Sequence, residues 1–281
     1  MNTTDFDTYL AQLTPETQPV ADWDTLCQLQ LAHTCTHAFQ SLSTVLHQPI
    51  SLELDAVYQK VVVQRQGGYC YELNGLFGQL LRHLGYNVRP ITGHVVHDNQ
   101  PDTPHARTHM ALLVNVAGAD CLVDVGFGGQ VPTAPLRLHQ RSSQATPHGH
   151  YRIKPHQQSL VLSTQQQGQW QMLYAFDLHT QHPIDLEVGN WFVSTHPQSP
   201  FRQRLMAART EPGGKRHSLL NQRYSVHNIG QASEHHPLHN ADEILQLLQQ
   251  VFLLKLPTSP AVHDGLQRFL NQLPPVADTK Q

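Results

Sequence analysis

Cys70, His109 and Asp124 are the residues of this sequence whose types and settings could together perform nucleophilic catalysis. Cys70 follows two glycines in the segment GGYCYE and precedes an apolar segment, so it falls at or within the first turn of a predicted helix. The partial positive charge and free N–H groups of a helix start favour the thiolate form of a cysteine. Cys70 is therefore a candidate nucleophile; the structural alternative is a small buried apolar side chain.

His109 and Asp124 lie on two short apolar segments that the sequence predicts to form a β-hairpin. Strand alternation places both side chains on one face of that hairpin. A turn centred within Val116-Ala117 would set them directly opposite each other, with Cβ atoms about 4.5–5.5 Å apart. A turn centred at Gly118-Ala119 would keep them on one face but stagger them. The sequence does not choose between these two registers.

A carboxylate bonded to one imidazole nitrogen fixes the tautomer and stabilises the imidazolium, and the other nitrogen can then accept a thiol proton. Asp124 stands within the apolar segment LVDVG, where a buried charge needs a partner. The pattern therefore predicts that His109 and Asp124 activate Cys70 for covalent catalysis. The structural alternative for His109 is a core histidine with satisfied hydrogen bonds.

The elements that would position these residues follow from hydrophobic periodicity. Apolar side chains over 73–84 recur at helical spacing, and Gly85 follows in the position of a helix cap. From Tyr86 the pattern becomes extended, so the middle third is predicted to be a β-barrel or strongly curved sheet. Further along, Asn240 is the predicted N-cap of an amphipathic helix, and Asp264 of a last short one.

Composition excludes several classes of function. The 281 residues contain 18 Lys+Arg and 21 Asp+Glu, which leaves no basic excess for nucleic-acid binding. No secretory signal and no apolar run of the roughly 18 residues needed to span a bilayer are visible, so we expect a cytoplasmic protein with no membrane partner. The four cysteines show no Cys-x-x-Cys spacing and are expected to be free thiols. The chain also has 21 histidines, which, apart from His109, are interpreted as mainly surface residues.

Two histidine groups and one basic turn are candidate binding sites. His33 and His37 flank Cys35 at helical spacing, and a second group is His235-His236-x-x-His239. Neither supplies the four ligands of a structural zinc site, so no metal is expected. The turn Gly213–His217 is basic enough to meet phosphates but is interpreted as a solvated loop.

The order and spacing of several segments resemble those of the arylamine N-acetyltransferases along nearly the full length of the chain. The segments are LQLAHTCTHAFQ (29–40), GGYCYELNGLFGQLLRHLGYNV (67–88), THMALLVNV (108–116), LVDVGFGG (122–129) and NWFVSTHPQSPF (190–201). The resemblance implies an α+β fold of three parts: a helical bundle over 1–85, a β-barrel over 86–200 and an α/β lid over 201–281. It also implies a cysteine-protease-like triad of Cys70, His109 and Asp124.

The same resemblance implies a reaction and its partners. Acetyl-CoA would be the donor, and an aryl amine, hydrazine or N-hydroxyarylamine the acceptor, in a ping-pong mechanism through acetylated Cys70. The acceptor pocket would be formed by Phe39, Val95, Gly126, Phe127 and Gly128, for which core packing is the structural alternative. No metal is implied, and the sequence leaves the oligomeric state open.

Two positions depart from the family pattern, since Gln40 and Gln66 stand where a glutamate and an arginine are usual. We interpret the change as the replacement of an ion pair by two amides that bond each other, which strands no charge. Losing the arginine also removes a cation that would favour a thiolate at Cys70. Two other functions are therefore kept as alternatives: a cysteine hydrolase or amide-forming relative, and a weakened homologue that acts as a binding module.

Overall fold

The computed structural model describes residues 1–14, 16, 18–103, 105–257 and 259–274. Its helices are α1 (Thr3–Leu10), α2 (Trp23–Thr36), α3 (Leu42–Val45), α4 (Leu54–Tyr58) with a π-helical turn (Gln59–Val63), α5 (Cys70–His83), α6 (Pro183–Thr195), α7 (Pro200–Gln203), α8 (Ala241–Gln250) and α9 (Pro260–Leu270). Its strands are β1 (Phe39–Gln40), β2 (Asn87–Val95), β3 (His109–Val116), β4 (Ala119–Val123), β5 (Leu136–Arg137), β6 (Gln144–Thr146), β7 (Gly149–His156), β8 (Ser159–Gln166), β9 (Gln169–Phe176), β10 (Met206–Thr210), β11 (Arg216–Leu220), β12 (Arg223–His227) and β13 (Glu234–Pro237).

The strands form two antiparallel sheets, which makes the fold α+β as predicted. The larger sheet has eight strands in the order β5-β4-β3-β2-β9-β8-β7-β6. Its edges meet where the Gln144 side chain bonds the backbone N–H and C=O of Arg137, so the sheet is a nearly closed barrel. The smaller sheet has the order β1-β10-β11-β12-β13. The division at residues 85 and 200 stays a prediction.

Helix α5 is built as its periodicity predicts. Its apolar stripe is buried against the even-numbered residues of β3, such as Met110 and Leu112, and Gly78 lets Leu112 approach the helix backbone. Gly85 follows the helix with φ of 94°, a conformation that glycine adopts without a Cβ clash. Burial of each large side chain contributes roughly 1.5–3 kcal/mol. Helix α5 is therefore held firmly, and with it Cys70 at its first position.

Strand β3 is apolar on both faces because it lies between α5 and the barrel interior. Its odd-numbered residues Ala111 and Leu113 belong to the core inside the barrel. His109 starts the same face, so its ring points toward the barrel interior rather than into the helical core. Because both faces of β3 are buried, the residues that follow His109 in this strand, up to Val114, are apolar.

The β3–β4 hairpin has neither of the two registers considered from the sequence. Leu112 pairs with Val123, and the turn consists of Ala117 and Gly118 alone, with φ of 51° and 84°. Two positive φ values give a tight turn whose twist matches that of the strands, and this turn sets the register. Asp124 therefore follows the end of β4 on the same face as His109, displaced along the strand rather than directly opposite.

The two predicted helix caps have different outcomes. Asn240 caps α8, because its side chain accepts the Glu243 N–H at 2.9 Å. The prediction for Asp264 is wrong: α9 begins earlier, and Ser259 is its N-cap, with Pro260 at the first helical position. Proline suits that position because the first N–H of a helix needs no intrahelical acceptor.

The remaining histidines are mainly exposed or partly exposed, as predicted, with four exceptions. His33, His37, His148 and His217 are all buried. The His33 and His37 rings lie 5.0 Å apart between centroids beneath α1, and burial lowers the pKa of His37 to about 4. These histidines are therefore neutral core residues, and their protonation is coupled to folding.

Acid should destabilise the protein through His37. The unfolded chain binds a proton at His37 below about pH 6.5, whereas the folded chain does so only near pH 4. The free energy of unfolding should thus fall by about 3 kcal/mol from this residue as the pH drops from 6.5 to 4. Urea unfolding across this range should show a weaker acid dependence in His37→Gln than in the wild type. The exposed His139→Gln is the control, and equal slopes in all three proteins would contradict the prediction.

Within residues 1–14, 16, 18–103, 105–257 and 259–274, no helix is both long and apolar enough to cross a bilayer.

Candidate active site

Cys70 is the first residue of α5 and is almost completely buried. The preceding turn is fixed because the Tyr69 N–H donates to Glu72 at 3.0 Å, and Glu72 is itself paired with Lys60 at 2.7 Å. The Gly68 carbonyl accepts the Gln40 N–H of β1 at 2.8 Å. Contacts from α5 and from the smaller sheet therefore fix the backbone immediately before Cys70.

His109 and Asp124 form a buried pair beside the thiol. His109 Nε2 lies 2.7 Å from Asp124 Oδ2, which leaves the opposite ring nitrogen, Nδ1, for Cys70. Burial acts to lower the pKa of His109, but the charge and hydrogen bond of Asp124, with a hydrogen bond to Cys70, raise it to about 10. The Cys70 sulfur also lies 3.7 Å from the Thr108 carbonyl oxygen. The predicted trio is thus brought together although its members come from α5, β3 and the residue after β4.

The carboxylate of Asp124 is fully buried and accepts four hydrogen bonds. Besides His109, its donors are Asn74 Nδ2 at 3.0 Å, the Gly126 N–H at 2.9 Å and Tyr174 Oη at 2.9 Å. Burial acts to raise the pKa of Asp124, but His109 and these hydrogen bonds lower it. Asp124 therefore stays ionised and can stabilise a protonated His109.

Sequence reasoning missed Asn74 and Tyr174. Asn74 also donates to the Met110 carbonyl and accepts the Val125 N–H, so it ties α5 to both strands of the hairpin. A signal for Asn74 was present, because a polar side chain four residues after Cys70 falls on the buried side of a helix. Tyr174 has no such signal, because β9 reaches the site only through barrel topology.

The residues predicted to bind an acceptor occupy different places. A Cβ on Gly126 would lie 2.7 Å from Cys70 Cα, so only glycine permits this close approach. The Phe127 ring meets the His109 ring edge-on at 5.0 Å. Gly128 lies against the ring of Phe39, at the junction of the barrel and the smaller sheet.

Val95 is the fifth of these residues and lies farther along β2. It pairs with Tyr174 across the sheet, and the Tyr174 hydroxyl donates to Asp124. The partly exposed ring of Phe127 packs at 5.0 Å against the fully buried ring of Tyr174, next to His109. An apolar, aromatic surface of this kind suits a flat aryl group.

The expected amide pair between Gln40 and Gln66 is not formed by the two side chains. Gln40 Nε2 donates instead to the backbone carbonyl of Gln66 at 3.0 Å, while its oxygen accepts the Leu42 N–H. A backbone carbonyl is available whatever side chain position 66 carries. The brace between β1 and the glycine turn is therefore kept by a different bond from the one predicted.

Neither the histidine groups nor the basic turn Gly213–His217 has the surroundings of a metal site or of a fully solvated loop. The sulfur of Cys35 contacts a different residue from His33 and His37: it lies 3.4 Å from the hydroxyl oxygen of Thr210. Among the residues whose placement is described, no three His, Cys, Asp or Glu side chains gather as metal ligands would. The basic turn is solvated at Lys215 but not at Arg216, which is buried, so interpreting all of Gly213–His217 as a loop in solvent is wrong.

This arrangement can perform acyl transfer. A thiol faces an imidazole that a carboxylate holds in one orientation, so the imidazole can accept the thiol proton and later return a proton to a leaving group. The first-turn N–H groups of α5 lack intrahelical acceptors and can stabilise an oxyanion next to the sulfur.

Comparisons with known proteins agree on one family. Residues 22–261 match the family model described as N-acetyltransferase. The chain is 38% identical to the arylamine N-acetyltransferase / N-hydroxyarylamine O-acetyltransferase of Salmonella typhimurium, over 87% of this chain and 86% of that protein. It is 40% identical to the arylamine N-acetyltransferase of Mycolicibacterium smegmatis, over 90% and 92% respectively. The structure of the Mycobacterium marinum arylamine N-acetyltransferase in complex with CoA has a TM-score of 0.88 and 37% identity, and covers 93% of this chain and 98% of that one.

Proposed function

This chain belongs to the arylamine N-acetyltransferase family, and on that premise we propose that Cys70, His109 and Asp124 carry out its reaction by a ping-pong mechanism. The activity is acetyl-CoA-dependent acetylation of arylamines. The observation that supports the catalytic assignment is the buried His109–Asp124 pair beside the thiol at the start of α5. We place the reaction in the cytoplasm, where free thiols persist.

In the first half-reaction, Nδ1 of His109 accepts the proton of the Cys70 thiol. The thiolate attacks the thioester carbonyl of acetyl-CoA, and the tetrahedral oxyanion is stabilised by first-turn N–H groups of α5. The bond to the CoA sulfur breaks, and His109 returns the proton to that sulfur, so CoA leaves as a thiol. Asp124 holds the ring in place and stabilises its positive charge throughout.

In the second half-reaction, the amino group of the acceptor attacks the acetyl-cysteine carbonyl. His109 accepts a proton from the attacking nitrogen and returns it to the Cys70 sulfur as the acyl–sulfur bond breaks. The partly exposed ring of Phe127, backed by the buried ring of Tyr174, orients the aryl group. A hydrazine attacks through nitrogen in the same way, whereas an N-hydroxyarylamine can attack through its hydroxyl oxygen, from which His109 would accept the proton.

The catalytic assignment predicts selective alkylation of Cys70. Burial raises the pKa of Cys27 to about 11 and that of Cys121 to about 12, and it also raises the pKa of Cys35. These three thiols are therefore protonated and slow to react near neutral pH. Iodoacetamide, followed by peptide mass spectrometry, should label Cys70 well before the others. Equal slow labelling of all four thiols would instead favour a non-catalytic binding module.

Product analysis distinguishes transfer from hydrolysis. A matrix of acyl-CoAs against aryl amines and hydrazines, read by thiol release and by detection of the acetylated amine, tests the proposed function. Equal amounts of free CoA and acetylated amine are expected. Release of CoA in the presence of an aryl amine, without acetylated product, would identify a cysteine hydrolase, because the same triad can transfer an acyl group to water.

A further inference from the structure

His109 is the first residue of β3, so the sheet holds it from one side only. Its pairing with Gly93 is the last pair between β2 and β3, and the chain between Val95 and His109 connects the two strands. Strand ends open more easily than strand interiors, because they have hydrogen-bonded neighbours on one side only. The position of the proposed base therefore depends on what fixes the residues just before it.

Arg107, two residues before His109, bonds two other strands of the barrel. Its guanidinium donates to the Thr92 carbonyl on β2 at 3.1 Å and is paired with the carboxylate of Asp177, the residue directly after β9. Burial acts to raise the pKa of Asp177, but its hydrogen bonds with Arg107 and His179 lower it, so the carboxylate is ionised near neutral pH. Because β3, β2 and β9 are neighbours in the sheet, one side chain joins the start of β3 to the next two strands.

The backbone of Arg107 is also tied to the nucleophile helix. Tyr71, which follows Cys70 in α5, donates its hydroxyl to the Arg107 carbonyl at 3.3 Å. The next carbonyl oxygen along the chain, that of Thr108, lies 3.7 Å from the Cys70 sulfur. The segment from Arg107 to the start of β3 is thus held between α5 on one side and β2 and β9 on the other.

We propose that Arg107 is a positioning residue of the reaction, which holds His109 at the distance from Cys70 that proton transfer requires. The inference rests on the proposed function, since it takes His109 as the base. Strand β9, to which Arg107 is joined, also carries Tyr174, whose hydroxyl donates to Asp124. The guanidinium therefore fixes His109 relative to both the nucleophile and the carboxylate that orients the ring. A small displacement of a catalytic group lowers the rate steeply, because proton transfer needs hydrogen-bond distance.

Alkylation of Cys70 by iodoacetamide over a series of pH values tests this assignment, because it depends on the contact with His109 and needs no acetyl-CoA. Arg107→Met keeps the length of the side chain and removes all its N–H donors. At pH 7 the variant should react about tenfold more slowly than the wild type. The midpoint of its pH profile should rise by about one unit, because a thiolate without an imidazolium beside it is less stable.

Transfer and a conservative variant supply the second measurement. Transfer from acetyl-CoA to an aryl amine should fall in Arg107→Met by a factor similar to that of alkylation. Arg107→Lys should give rates between those of Arg107→Met and the wild type, since an ammonium can still pair with Asp177 but lacks the planar fork of donors that also reaches Thr92.

The matched control is Arg89→Met, which removes another half-exposed arginine of the same sheet, paired with the carboxylate of Asp120. Its alkylation profile should equal that of the wild type, and the urea midpoints of Arg89→Met and Arg107→Met should be alike. Asp177→Ala should shift the pH profile in the same direction as Arg107→Met, which tests the assignment if Arg107→Met does not fold.

Three outcomes would contradict the inference. A wild-type pH profile in both Arg107→Met and Asp177→Ala would overturn the role of Arg107 and leave the proposed function standing. Slower alkylation at an unchanged pH midpoint, together with a lower urea midpoint, would also overturn that role, because a merely structural residue changes only the folded fraction. A wild-type Cys70 no more reactive than the other three thiols would overturn both the role of Arg107 and the proposed function.

Discussion

Replacing Asp124 with asparagine should lower acetyl transfer by about four orders of magnitude while leaving the fold intact. Asparagine has the same shape, and its oxygen can still accept from Asn74 and the Gly126 N–H. Its NH₂ group, however, would donate to Nε2 of His109, where the carboxylate now accepts. The ring proton would then sit on Nδ1, which faces Cys70, so the ring could not accept the thiol proton.

Rates and stability should be measured on the same Asp124→Asn preparation. Release of CoA in the presence of an aryl amine reports transfer, and urea unfolding reports the fold. Asp120→Asn, on β4 and paired with Arg89 in a half-exposed ion pair, is the matched control and should retain nearly full activity. Full activity in Asp124→Asn would show that the assignment of Asp124 to the triad is wrong.

Replacing Cys70 with alanine should abolish transfer altogether, because the variant lacks the thiol that would carry the acetyl group. Intact-protein mass spectrometry after mixing with acetyl-CoA should show the added acetyl group in the wild type and not in Cys70→Ala. Affinity for CoA should persist, because the substitution removes only the sulfur atom that reacts.

The buried thiol of Cys121 supplies the control for Cys70→Ala. Cys121→Ala removes a side chain of the same size from the same core, and it should retain activity with a loss of about 1 kcal/mol in stability. An acetylated Cys70→Ala protein that still turned over would place the nucleophile elsewhere. Loss of activity in both variants would indicate a packing effect and not a covalent role for Cys70.

The local elements of the fold could be predicted because their determinants lie within a few residues. The stripe of α5, its glycine cap and the Asn240 cap of α8 depend on spacings of three or four positions. The prediction for Asp264 failed because Ser259 offers an equally local cap that starts the helix one turn earlier. Where two local signals compete, the sequence does not say which one the packing selects.

The triad could be proposed from the sequence because each member has an unusual setting: a thiol at a helix start, and a histidine and an aspartate inside apolar strands. The register that joins them could not be predicted, since the turn residues Ala117 and Gly118 adopt positive φ only as part of the folded hairpin. The same holds for Tyr174, which reaches Asp124 from β9 across the barrel.

The sequence by itself therefore determined the nucleophile helix, the hairpin carrying His109 and Asp124, and the chemistry of those residue types. Tertiary structure alone decided which polar residues are buried. It placed His37 beneath α1 as a neutral imidazole and buried Arg216 against the His148 carbonyl and the Tyr151 hydroxyl. The physical reason is that periodicity and capping act between neighbours in the chain, whereas burial and charge pairing depend on segments that only the closed barrel and the second sheet bring together.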